Sequence, residues 1–288
     1  MIAVPLSLLA MTTASQAVIV VSESFAGYQA GNLNGQAALG AGLSGSWTGD
    51  TDFQHLATGL SLSGMSSSGG SANMNSGGNA AKTISVSFAS ALSNGPLFGS
   101  YLFSTTTHAN ARTVGALMVG GASDSDGTAS FAWAGNGYNS SNSFEGPNIR
   151  AEGTASPLPG SSLTGGETYL MLFQFNGATG ESSAWVLSQA QLTNFSATLD
   201  AATLDSAALG AGANEVTWKA SVDGDAADPM TDLILLGLQS TSNGSFSYTW
   251  DEFRISDTSL AEAVAIPEPS VAVLGALAAV PFLRRRRK

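Results

Sequence analysis

The chain of 288 residues has room for one large all-β domain or two small ones, and 43% hydrophobic content is enough to bury a sizeable core. Only 11% of residues are charged, well under the roughly 25% of ordinary soluble domains; Gly, Ser, Ala, Thr and Asn fill the difference, which suits strands and turns and disfavours long surface helices. Residues 18–266 carry five basic and 20 acidic side chains, hence a formal charge of −15, which argues against nucleic-acid binding, and the absence of Cys excludes disulfides, thiolate metal sites and Cys nucleophiles.

The chain opens on Ile2–Met11 (IAVPLSLLAM), an apolar run too short to span a bilayer and suited to the apolar region of a secretory signal. Ser15-Gln16-Ala17 places small residues at −3 and −1 of a cleavage after Ala17. No Lys or Arg precedes the run. The expected layout is a signal peptide over residues 1–17, a β-sandwich domain over 18–260 and a C-terminal sorting segment over 261–288.

Short apolar or alternating runs follow, punctuated by turn residues, and each predicts a strand. They are Val18–Phe25, Lys82–Phe88, Leu97–Phe103, Thr113–Val119 and Ser130–Ala134. Tyr169–Phe175 (YLMLFQF) reads as buried on both faces, and the turn at Asn176–Gly180 pairs it in a hairpin with Ser183–Leu187. Glu215–Val222, Leu233–Leu238 and Ser245–Ile255 complete the series, the last with Phe246, Tyr248 and Trp250 on one face and Ser247, Thr249 and Asp251 on the other. Met65–Asn79 and Ala151–Gly166 read as loops. Gln189–Ala213 is ambiguous, its first part a strand and AATLDSAALG a helical turn. Elsewhere no amphipathic helix is evident. The pattern is that of an all-β sandwich or jelly roll.

Candidate chemistry is sparse. His55 and His108 stand alone without zinc spacing and read as surface or turn residues. No nucleophile elbow, P-loop or HExxH occurs. Asp251 and Glu252 are adjacent, so they point to opposite faces, and Glu252 shares its face with Arg254 as an ion pair rather than a catalytic dyad. Asp124 and Asp126, in the turn Asp124-Ser125-Asp126-Gly127, offer hard oxygens at i and i+2 for calcium, the one cofactor considered; Asp223–Asp228 is a second acidic turn, and both also read as ordinary turns. Of five tryptophans, Trp47 and Trp133 lie nearest Gly-rich turns and are the candidates for stacking on a sugar; Trp185, Trp218 and Trp250 read as core.

The chain closes on Pro267-Glu268-Pro269, an uncharged apolar run over Ser270–Leu283 and the basic cluster Arg284, Arg285, Arg286, Arg287 and Lys288. As a helix the run would reach about 21 Å, short of the roughly 30 Å hydrocarbon core. The basic cluster favours the cytoplasmic face of a membrane and its anionic headgroups. These three ordered features closely resemble the sorting signal of PEP-CTERM proteins. The resemblance covers about the last 23 residues. It implies an exported protein, held at first by a short transmembrane helix and recognised by an exosortase, a membrane processing enzyme that cuts near Pro267–Pro269.

A looser resemblance covers both ends of the body. Glu23-Ser24-Phe25, Tyr28–Gln36 and Gly45-Ser46-Trp47 near the start, and Trp250–Ile255 at the end, look like PEP-CTERM proteins with a concanavalin A-like, LamG-type jelly roll. That implies neighbouring first and last strands. The function expected is a non-catalytic module that binds or organises extracellular polysaccharide at the cell envelope. The alternatives are a secreted polysaccharide hydrolase or lyase, and a structural protein that assembles through its sheet edges.

Overall fold

The computed structural model describes residues 19–264 apart from 66–68, 77–80, 93–94, 106–110, 124–128, 138–146, 152–153, 158–162, 177–178, 180, 223–232 and 243–245. In chain order its first elements are β1 (Ile19–Glu23), β2 (Gly31–Asn32), β3 (Leu43–Gly49), β4 (Phe53–Leu56), β5 (Ser71–Ser76), β6 (Ala81–Leu92), β7 (Pro96–Thr105), β8 (Ala111–Ser123) and β9 (Ala129–Gly137). Then come β10 (Pro147–Ala151), β11 (Thr154–Pro157), β12 (Thr168–Asn176) and β13 (Ser182–Leu187), followed by α1 (Gln189–Phe195) and α2 (Ala201–Ser206). The series ends with β14 (Ala208–Leu209), β15 (Glu215–Val216), β16 (Trp218–Val222), β17 (Leu233–Ser242), β18 (Phe246–Ser256) and α3 (Leu260–Val264).

Among the described residues, nine strands form one sheet in the order β16-β13-β12-β7-β18-β5-β4-β2, with β1 also paired to β18. Seven form a second, β11-β10-β9-β8-β17-β6-β3. Every pairing within these two sheets is antiparallel. Alternation along the strands turns Ile84, Val86, Leu236 and Leu238 of the seven-stranded sheet toward Tyr101, Phe103, Phe173 and Tyr248 of the nine-stranded one, all in one buried cluster. Phe103 and Tyr248 stack with ring centroids 5.5 Å apart. Burying each such side chain contributes about 1.5–3 kcal/mol. The protein is thus mostly β, two antiparallel sheets packed face to face. The first and last strands are neighbours as expected, Glu23 opposite Phe253 and Ile19 opposite Ser256.

The nine-stranded sheet is buried on its outer face as well. Leu102, Leu170, Leu172, Trp185 and Leu187 point away from the main core and meet Leu192 and Phe195 of α1, Leu204 of α2, and Leu260 and Val264 of α3. This third layer is why Tyr169–Phe173 is a continuous apolar run, with both faces of β12 buried. Its hairpin with β13 forms as expected, Leu170 opposite Leu187, closed by Asn176 N–H to Glu181 O at 2.9 Å.

Several expectations need correcting. The Ser/Gly/Asn-rich stretch Met65–Asn79, read as a loop, holds β5 between β4 and β18, because Ala72 and Met74 alternate into the core while Ser71 and Asn73 face outward. The stretch Ala151–Gly166 holds β11, an edge strand. The first part of Gln189–Ala213 is helix α1, not strand; Ser188 N–H is capped by Gln191 Oε1 at 2.9 Å. The AATLDS portion is helical as expected, forming α2, capped by Asp200, which accepts Thr203 N–H at 2.9 Å. β3 and β4 arise in a Gly-rich segment with no apolar run. The folded layer extends past the boundary expected at residue 260, since α3 is docked through Leu260, Ala263 and Val264. Among the described residues no helix is long and apolar enough to cross a membrane, and the 270–283 segment lies outside them.

Candidate functional site

Two buried carboxylates organise the region around β1 and β18. The first is Glu23, at the end of β1. Its Oε2 accepts the Tyr28 hydroxyl at 2.5 Å, and its Oε1 accepts Phe25 N–H at 2.8 Å. The same hydroxyl accepts Leu39 N–H at 2.8 Å and Trp47 Nε1–H at 3.1 Å. Tyr28 therefore ties three separate pieces of chain to one acid. Burial raises the Glu23 carboxyl above its ordinary range, and burial beside Glu23 raises the Tyr28 phenol too.

This network floors an open cleft of ≈ 330 Å³ lined by Gly27, Tyr28, Gln29, Gly35, Gln36, Ala37 and Leu39. The loop that forms the cleft is held by Gln36, whose Oε1 accepts Gln29 N–H at 2.8 Å while its Nε2–H donates to Gln29 O at 2.9 Å and Asn32 O at 2.7 Å. Leu39 is exposed on the rim. The lining is uncharged: amides, a phenol ring and aliphatic carbon.

The second carboxylate is Asp251, where β18 bulges: Asp251 pairs with Leu102 and Arg254 with Ser100. Its Oδ2 accepts Leu60 N–H at 2.7 Å, and its Oδ1 accepts Glu252 N–H at 2.7 Å. Burial pushes the Asp251 carboxyl up to about 7; the Leu60 N–H opposes the rise, Glu252 adds to it, and the Glu252 N–H and Arg254 oppose it. Glu252 pairs with Arg254 at 2.6 Å, both buried, as the shared strand face predicted. Arg254 Nη1–H also donates to Val264 O at 2.8 Å, and Ser100 Oγ–H to Ala263 O at 2.7 Å, so two carbonyls at the end of α3 are clamped from the sheet.

Among the described residues, two non-glycine residues have positive φ, Phe25 (52°) and Glu252 (50°). Each gives its N–H to one of these two acids. A left-handed backbone at such residues costs on the order of 1–3 kcal/mol and persists only where surroundings hold it; here a buried carboxylate does.

The expected site residues fare unevenly. Trp47 is fully buried in the main core, ring-packed on Phe25 at 5.8 Å, and so presents no face to a sugar. Its glycine neighbours Gly45 and Gly49 take positive φ within β3 itself, whose pairing with β6 is irregular there; they do not expose the ring. Trp133 lies on β9, in register with Leu117 and Arg150. Trp185, Trp218 and Trp250 are buried, as expected. His55, expected on the surface, is buried on β4 beside Tyr28, ring centroids 5.8 Å apart. Neither of its ring nitrogens, nor Trp250 Nε1, has a hydrogen-bond partner among the described residues. Among those residues no three His, Cys, Asp or Glu side chains converge on a metal. Asp124, Asp126, Asp223–Asp228, His108, Ala17, Pro267, Glu268, Pro269, Arg284, Arg285, Arg286 and Arg287 lie outside the described residues. The roles of Glu23 and Asp251 were not foreseen. Glu23 reaches Leu39 and Trp47 only through the Tyr28 hydroxyl, and Asp251 is met by the backbone N–H of the remote Leu60, which leaves no mark in side-chain pattern.

The class these observations define is a two-sheet antiparallel β-sandwich with a helical layer on one outer face. No protein-family model matches the chain, and no curated protein matches it. Solved structures to which it is similar include the basic lectin of winged bean (TM-score 0.43, 8% identity, 72% of this chain and 92% of that chain). Lectin II of Ulex europaeus gives TM-score 0.43 and 7% identity over 73% of this chain and 91% of that one. Peanut lectin gives 0.40 and 10% over 74% and 98%. These TM-scores lie below 0.5, and the functional reading rests on this chain's own residues.

Proposed function

We propose that the chain is an exported, non-catalytic β-sandwich protein, related to the concanavalin A-like jelly rolls, that binds or organises extracellular glycan and is sorted through its C-terminal tail. The observation that carries this reading is the sequence of the tail: Pro267-Glu268-Pro269, an apolar segment too short for a comfortable span, then Arg284–Arg287. The apolar run before Ala17 supports export.

The body adds two supports. Its cleft between Tyr28 and Leu39 is uncharged and open, at the lower end of the roughly 300–1,000 Å³ of small-molecule sites. Such a lining suits a neutral polyhydroxylated ligand, with Gln29 to hydrogen-bond and Leu39 to cover an apolar sugar face. The buried carboxylates are committed to holding chain segments: Glu23 to Tyr28 and Phe25, Asp251 to Leu60, Glu252 to Arg254. That favours a scaffold role for them over acid–base work on a substrate.

The test is the intact mass of the mature protein from its producing cells, with and without the membrane processing enzyme, followed by glycan-array binding of the released product. Expected are loss of the N-terminal 17 residues, enzyme-dependent loss of the chain beyond about Pro267–Pro269, and retention on a neutral glycan. A C-terminus intact through Lys288 in both cells overturns the sorting reading. An empty array overturns glycan binding, and release of new reducing ends from polysaccharide overturns the non-catalytic reading.

A further inference from the structure

Residues 57–65, the first part of the connection from β4 toward β5, pack on the outer face of the nine-stranded sheet. Leu62 is buried in the outer apolar cluster, with Leu60 and Met65 packed against it. Ala57, Thr58, Ser61, Ser63 and Gly64 are exposed, so the segment is a thin cover. It is fastened at three places. Leu60 N–H reaches Asp251 Oδ2 at 2.7 Å. Ser71 Oγ–H reaches Thr58 O at 2.8 Å. Ser63 and Gln189 exchange two bonds, Ser63 N–H to Oε1 at 2.5 Å and Nε2–H to Ser63 O at 3.0 Å. Only the first fastener is ionisable. It is also the most confined: a Cβ on Gly59 would lie 2.7 Å from Asp251 Oδ2, so backbone seals the carboxylate from above.

We propose that residues 57–65 form a strap whose closure over the outer face of the sheet is gated by the charge of Asp251, ionisation favouring the open state. Displacing the strap would return the carboxylate to water while leaving both sheets paired. The charged groups beside Asp251 are on its own strand: Glu252, which opposes its ionisation, and Arg254, which favours it but is shared with Glu252 and Val264 O. The strap contributes no charged side chain. From α1 the groups meeting the strap are the amide of Gln189, and from β5 the hydroxyl of Ser71. Glu262 of α3 is bonded to Ser256 Oγ, and Glu23 of β1 to Tyr28. Among the described residues, the Leu60 and Glu252 N–H groups are the hydrogen-bond donors to the Asp251 carboxylate.

The sign follows from linkage. In the closed state Asp251 keeps its proton up to about 7; in the open state it falls back toward its ordinary 3.8. Between those values the closed state binds more protons, so the opening constant rises by up to about tenfold per pH unit, levelling off above the closed-state value. Across the window the rise is on the order of a thousandfold.

The test is hydrogen exchange of the full chain from pH 5 to 8, read by mass over a peptide spanning residues 57–65 and corrected for the intrinsic pH dependence of exchange. The expected result is protection of the strap that falls steeply up to about pH 7 and then levels, with β12 amides losing protection far less. In Asp251→Asn the strap's protection is expected to be independent of pH. A pH-independent strap in the wild type overturns the proposal. So does an equal fall in β12, which would mean unfolding of the whole sandwich, or an unchanged slope in Asp251→Asn. Should that variant not fold, the ¹³C shift of the Asp251 carboxyl in the wild type decides: a midpoint near 7 upholds the gate and one near 4 overturns it.

Discussion

Arg254→Ala tests how the C-terminal helix is held. Arg254 and Glu252 are 2.6 Å apart, with side-chain exposures of 9% and 3%, so water cannot take over when the guanidinium is removed. The variant leaves a buried carboxylate without its cation and Val264 O without the 2.8 Å donor that closes α3. Breaking a buried pair from one side costs about 3–5 kcal/mol, because the remaining charge keeps its desolvation penalty. For a folded body of this size each kcal/mol shifts the melting midpoint by about 2–4 °C, so a fall of roughly 10 °C is expected. Glu252→Gln/Arg254→Ala removes both charges, and its loss is expected to be smaller than the sum of the Glu252→Gln and Arg254→Ala losses by about 0.5–3 kcal/mol. Urea denaturation of the four proteins in one cycle measures this. A loss under about 1 kcal/mol for Arg254→Ala, or strict additivity, would refute the view that the pair is sealed and coupled.

Three further outcomes are expected. Gly99 lies under the Phe173 ring, where an added Cβ would come within 1.9 Å, so Gly99→Ala should destabilise by about 1–3 kcal/mol or more by overpacking, seen as a lower urea midpoint; wild-type stability would contradict the packing. Burial raises the Glu23 carboxyl above its ordinary 4.5, so its share of stability is complete below that value and is lost as pH rises through the folded value. Glu23→Gln should therefore lose less stability than the wild type between pH 4.5 and 7, and equal losses in paired denaturation series would count against it. Asp200→Ala removes the acceptor for both Thr203 N–H and Thr203 Oγ1–H and should cost about 1 kcal/mol, with faster hydrogen exchange confined to α2.

What the sequence disclosed and what it withheld divide along a physical line. Strands with large apolar side chains were legible: β7, β12 and β18 carry period-2 or continuous apolar runs, and their ends fall within a few residues of the expected ones. β5 was not legible, because its inward side chains are Ala72 and Met74 and its outward ones Ser71 and Asn73. Small residues fit there because the inward ones sit between large partners: Ala72 is in register with Trp250 on one side and His55 on the other. A strand flanked by bulky neighbours needs little side-chain volume of its own, and then composition reads as loop.

The same reasoning explains the site. Trp47 was placed at the surface because Gly45 and Gly49 flank it, yet those glycines serve the opposite end. Gly49 has φ 149° with Thr83 O only 2.2 Å from where its Cβ would be, so it allows the close approach of β3 to β6, while the indole packs on Phe25 and donates to the Tyr28 hydroxyl. The outer helical layer was hidden for a different reason. α1 and α2 are seven and six residues long, too short for a full amphipathic period to repeat. The attachment of α1 runs through Gln191, whose Oε1 accepts Thr217 N–H at 3.1 Å and Thr217 Oγ1–H at 2.7 Å while Nε2–H reaches Gly210 O at 2.9 Å. A buried amide that serves both as helix cap and as bridge to a segment more than 20 residues away has no local signature. Once it is in place, the continuous apolar run of β12, which sequence alone could read only as burial on two faces, acquires its second partner. The charged residues Asp251, Glu252 and Arg254 then lie beneath a strap and a helix, and that burial turns ordinary side chains into the ionisable fasteners of the outer layer.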